Sequence, residues 1–263
     1  MIHDRGAFAG VRYSVLGTSL VAWVFLVAGL GSGREALQAL CGTTALPWLR
    51  LNWALSSALG WLVMLGAMML PLTLPTLAHV WRSSLARRRR RALVLCLSAY
   101  LAAWLLSGLV IESLVMLLSS AWSTSSMALW MAVVAGVGVW QCSPLKQHCL
   151  NRCHSHRPLS AFGLRADVDV AMLGLAHGTW CVGSCWALMA AAALLPHAHT
   201  VGMVVVALVM YGERLDPPAR PAWAFRGLPT AWGLVRREWH AYRAAAIALW
   251  TPALARVTVR RGG

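Results

Sequence analysis

Apolar residues run through this chain in long blocks, and the polar residues collect in the gaps between them. The blocks predict six membrane-spanning helices, at about 13–30, 53–80, 92–118, 122–141, 168–195 and 197–213. A helix needs ~20 residues to cross ~30 Å of hydrocarbon. The third block exceeds that length, so it is expected to tilt or to run past the lipid. PHAH at 196–199 joins the last two. Pro71 and Pro75 lie inside the second block. Each removes a backbone N–H and frees a carbonyl, which predicts a kink there.

Composition strengthens this reading. Hydrophobic residues make up 59% of the 263 and charged residues 12%, against ~25% charged in an ordinary soluble domain. That is too little charge to cover a soluble surface, so the expected fold is an all-α, polytopic membrane bundle. The net charge of +15 then reports orientation. With a cytoplasmic N-terminus, 21 of 23 Lys and Arg fall on the cytoplasmic side, leaving only Arg34 and Arg50 outside. Both termini are then cytoplasmic. A transmembrane domain over 1–213 precedes a basic cytoplasmic tail over 214–263, where 237–250 has the pattern of an interfacial helix. The first block also fits a signal peptide, although it lacks an A-x-A cleavage site. The basic residues are spread among the loops, so no nucleic-acid partner is expected. The run Arg87–Arg91 is placed to meet anionic lipid headgroups.

The chemistry concentrates in HGTWCVGSCW, 177–186. His177, Cys181 and Cys185 recur every four residues and share one helix sector ~80° wide. Met189 extends the stripe. Thiolate and thioether donors favour Cu(I), while thiolate with imidazole also suits zinc. A single Cys in a span usually just packs. Three such residues in register, with a His at membrane depth, point to a site.

A second group is SPLKQHCLNRCHSHRP, 143–158. Pro144 can open a helix that puts Cys149 and Cys153 on one face. His154 and His156 read as interface residues. In the second span Met64 and Met68 share a face. Packing is their default reading, but facing a Cys-rich helix they also form a soft-metal path. Glu112 is the one carboxylate well inside a span, so it should face the bundle as a ligand or proton acceptor. Glu213, beside Arg214, reads as an end cap or ion pair. Counting residues puts Cys181 ~20 Å into its span, with Cys149 and Cys153 near the cytoplasmic face. A single site therefore requires 142–160 to fold back into the bundle; otherwise there are two sites or a relay. Of seven Cys, only Cys41 lies in a predicted external loop, so no disulfide framework is expected. Walker, nucleophile-elbow and H-E-x-x-H patterns are absent.

MLGAMMLPLTLP, AYLAAW, WQCSPLKQHCLNRC, LAHGTWCVGSCWALM and YGERL occur in that order between about 60 and 216. In this the chain resembles the DUF2182 family of bacterial membrane proteins, described as predicted metal-binding integral membrane proteins. The resemblance marks Met64, Met68, Met69 and Pro71, then Pro144, Leu145, Lys146, Cys149 and Cys153. It also marks His177, Gly178, Cys181, Gly183, Cys185, Trp186, Met189 and the closing acid Glu213. Two departures stand out. The family often has a double Cys where this chain has Ser184-Cys185, and Glu-Lys where it has Glu213-Arg214.

The expectation is a multi-pass protein of the bacterial inner membrane that handles a soft metal, copper ahead of zinc. Its ligands are drawn from Cys149, Cys153, His177, Cys181, Cys185, Met64, Met68 and Glu112, and its partner is a metal donor or acceptor protein. The same residues also fit a membrane metalloenzyme or an accessory subunit of a redox enzyme. They fit as well an assembly protein in which Cys and Met only pack.

Overall fold

A computed structural model describes residues 2–27, 48–121, 127–194 and 199–227, with isolated positions between 230 and 243. Cys41 and its predicted outer loop, the PHAH turn and most of the 237–250 helix lie outside the described residues, as does the Glu112 side chain. The described chain is helical, with no strand among the described residues. The helices are α1 (Ile2–Val27), α2 (Trp48–Met68), α3 (Leu74–Ser83), α4 (Arg89–Ala121), α5 (Met127–Cys142), α6 (Pro144–His154), α7 (Gly163–Leu194) and α8 (His199–Leu215). Short 3₁₀ turns at Pro71–Thr73 and Ala86–Arg88 connect α2 to α3 and α3 to α4. Two segments, Phe8–Val27 and Ala86–Ile111, are long and apolar enough to cross a membrane. Ala58–Met68 and Pro71–Ser83 make a third if that bent pair is one span.

The second apolar block is not one helix. It breaks after Met68 and turns by 57°. Pro71 has no N–H to offer the carbonyl four residues back, Ala67, and its ring crowds that turn. Ser19 of α1 supplies the missing donor, with Oγ 2.7 Å from the Ala67 oxygen. Thr73 Oγ1 donates to the Leu70 carbonyl at 2.7 Å. The freed backbone groups are thus satisfied inside the core. The bend also aims α3, and with it Thr76 and His79, at the centre described below.

α4 and α7 form the central pair. They run in parallel, with Cys96 beside Gly174 and Tyr100 and Ala103 beside Gly178. A Cβ on Gly174 would lie 2.2 Å from the Cys96 carbonyl oxygen, and one on Gly178 would lie 2.8 Å from the Ala103 Cβ. Two small residues one turn apart let the backbones approach closely. At the start of the pair, Arg88 and Arg91 each place Nη2 2.7 Å from Asp167 of α7. Arg88 also donates to the Gly163 carbonyl at 2.8 Å. Part of the Arg run therefore ties α4 to α7, while Arg87 and Arg90 remain exposed.

Candidate metal centre

α6 begins as its sequence predicts. Ser143 is the N-cap, its hydroxyl accepting from the Lys146 N–H at 3.2 Å, and Pro144 occupies the first turn. Its buried residues, Lys146, Gln147, Leu150 and Cys153, fall on one side. That side turns inward because α6 folds back along α7. Cys149 Sγ sits 2.8 Å from where a Gly183 Cβ would be, and His148 stacks edge-on to Trp180 at 5.8 Å. The fold-back needed for a single centre is present, so the two Cys motifs meet.

The stripe His177, Cys181, Cys185, Met189 faces the core, with exposures of 6%, 1%, 5% and 0%. Cys153 comes across from α6 into the same buried cluster as Cys181 and Cys185 of α7. Tyr100 of α4 donates from Oη to Cys181 Sγ at 3.5 Å. Ser184 Oγ lies 3.3 Å from Cys185 Sγ and donates to the Cys181 carbonyl at 2.8 Å. Where the resemblance expects a thiol, this chain has a hydroxyl that braces its neighbour. Donation to Cys181, together with burial, pushes the Cys153 thiol well above the usual range. Burial also raises Cys149. Met64 and Met68 share one buried cluster with Cys153, Cys181 and Cys185, joined by Met69, Met189, Met203 and Met210. Among the described residues, no group of three or more His, Cys, Asp or Glu is disposed to hold one ion. What the packing does provide is a sulfur-rich core in which Cys153 of α6 joins Cys181 and Cys185 of α7.

Imidazoles line one side of this core. Thr76 Oγ1 lies 3.3 Å from His177 Nε2 and 3.2 Å from His156 Nε2. His156 in turn packs on His79 with ring centroids 4.9 Å apart. Burial lowers the His156 pKa, and the neighbouring His79 adds to the shift. His156 thus belongs to the centre's surround and not to a bare surface. Thr73, Thr76, Tyr100 and His177 help enclose a cavity of about 10 Å³, room for roughly one water.

Glu213 does not pair with Arg214. Successive helix residues diverge by ~100°, and Glu213 turns toward α6. Its Oε1 receives the Lys146 ammonium and, at 2.9 Å, the Gln141 amide. Lys146 Nζ also donates to Gln141 Oε1 at 2.6 Å. The segment after α8 covers this network. Asn151 donates to the Ala219 carbonyl at 2.6 Å, and the Ala224 N–H donates to the Cys142 carbonyl at 3.1 Å. Gly227 has φ +87°, and a Cβ there would lie 2.4 Å from Glu213 Cγ, so glycine is required on both counts. Arg214 points the other way, to His177, with Nη2 3.3 Å from Nε2.

The α4–α7 register carries Glu112 to about the level of the Ala187–Ala190 turn, beyond Cys185. α5 and α8 end beside the His177–Trp186 turns of α7, as the Trp140–Trp186 ring contact at 5.1 Å and the Arg214–His177 contact show. On α4 the same register puts Cys181 level with about Ala103, well inside Ala86–Ile111.

Tyr100, Thr76, Gln141 and Arg214 carry contacts that residue types alone did not reveal. Met203, Met210 and Glu213 did leave a signal. They fall at i, i+7 and i+10, one face of α8, so Glu213 shares the buried face of two methionines.

A helical bundle that gathers buried Cys and Met into one core defines a protein suited to soft-metal handling. A family model described as PpoB2, copper chaperone, matches residues 58–235, more than half of the chain. The chain belongs to this copper-chaperone family. No curated protein and no solved structure matches it.

Proposed function

We propose that the protein is a six-span copper chaperone of the bacterial inner membrane, with both termini cytoplasmic. It holds Cu(I) between Cys153 of α6 and Cys181 of α7. The reading rests on one observation, the fold-back of α6 that packs Cys149 against Gly183 and places Cys153 in one buried cluster with Cys181. Cu(I) is soft and readily accepts two sulfur donors, so a pair suffices. Cys185, Cys149, Met64 and Met68 are the nearby sulfurs through which the ion would pass to or from a partner protein. The test is metal content. Full-length protein purified from copper-fed cells should carry copper, and Cys153→Ser with Cys181→Ser should remove most of it. Equal copper in the double variant would sink the proposal.

A further inference from the structure

Arg214 carries a charge without an acid. Its neighbour Glu213 is committed to Lys146 and Gln141, and no carboxylate among the described residues pairs with Arg214. The guanidinium is partly buried and touches His177 Nε2 at 3.3 Å. His177 lies one turn before Cys181 and stacks on Tyr100 at 5.7 Å, and Tyr100 in turn donates to Cys181, so the guanidinium sits beside the cysteine stripe. A guanidinium has only donors, so His177 must accept at Nε2 and carry its proton on Nδ1. Nε2 is then engaged by Arg214, which makes His177 a holder of the arginine in this state.

Unpaired charge in a low-dielectric site is costly, and a matching anion relieves the cost. The anion available here is the loaded centre itself. When Cu(I) binds Cys153 and Cys181, the two thiol protons leave to solvent and the complex carries one net negative charge. The guanidinium cancels it. A divalent ion on the same two thiolates is already neutral, and the arginine's charge stays unbalanced.

We propose that Arg214, positioned by His177, sets the charge of the cargo, selecting a monovalent metal on two thiolates over a divalent one. This rests on the copper-binding reading above and adds a specificity residue to it.

The test is competition of full-length protein in detergent, under reducing and anaerobic conditions, against chromophoric chelators. The probes are Cu(I), Ag(I) and Zn(II). Arg214→Gln should weaken Cu(I) and Ag(I) by about 10–100-fold, the range for outer-shell partners of a metal site, while Zn(II) binding holds or tightens. Arg214→Lys keeps the charge and should recover most of the Cu(I) affinity. His177→Gln should give a smaller loss in the same direction. Cu(I) affinity within twofold of the parent in Arg214→Gln overturns the proposal, as does an equal loss for all three metals. Cys153→Ser and Cys181→Ser run alongside. If they too bind Cu(I) like the parent, the copper site itself is wrong; if they lose it and Arg214→Gln does not, only the role of Arg214 falls.

Discussion

Two cations sit within a few residues of the same helix end and are treated in opposite ways. Lys146 reaches Glu213 and Gln141 and is closed in by the segment ending at Gly227. Arg214 leaves Glu213 to that network and meets His177, with no carboxylate partner among the described residues. The first is a finished ion pair, complete without metal. On the proposal above, the second is half of a pair whose other half would arrive with the copper. Fold and function thus use one charge each, and adjacent residues of α8 separate the two uses.

The largest effect should come from breaking the finished pair. Lys146→Met strands Glu213 in the core and should cost about 3–5 kcal/mol in denaturant unfolding of the metal-free protein. Pairing it with Glu213→Leu should return much of that. A single-variant cost near zero would mean that the pair is open to water. Next comes Gly174→Ala, whose new Cβ meets the Cys96 carbonyl at 2.2 Å. Spreading α4 from α7 should cost about 1–3 kcal/mol. It should also weaken Cu(I) binding by drawing Tyr100 away from Cys181. Asn151→Ala removes the side chain that bonds both the N–H and the carbonyl of Ala219. It should cost about 1 kcal/mol and speed amide exchange across 144–154, where a global loosening would speed exchange everywhere. The smallest effect sharpens the contrast most. Arg214→Gln should leave metal-free stability within about 1 kcal/mol of the parent or raise it, since it removes an unpaired charge. A loss as large as that of Lys146→Met would erase the distinction.

The helices were legible in the sequence because apolar length is a local property, and each apolar block proves helical over its described residues apart from the break at Met69–Leu70. The kink at Pro71 and the start of α6 at Pro144 were legible for the same reason, since proline acts on its own turn. The inward face of the 177–189 stripe followed from four-residue spacing. What did not follow was anything set by the packing of one helix on another. Glu213 and Arg214 are neighbours in sequence, so they read as one pair. The helix turn sends them to different partners, and only α6 folded in place supplies Lys146. Tyr100 gave no sign, because its role depends on the Gly174–Gly178 approach between α4 and α7.

Lys146 and Glu213 stand 67 residues apart in the chain. At 5–20 residues per second of synthesis, roughly 3–13 s separate their emergence from the ribosome. During that interval α6 has no carboxylate to hold it, and Cys153 has no fixed place against Cys181. The clasp at Gly227 comes later still. Biogenesis thus has a built-in order: the ion pair that holds α6 closes only once α8 has been made, so a half-synthesised chain carries Cys153 and Cys181 without the clasp that seats α6.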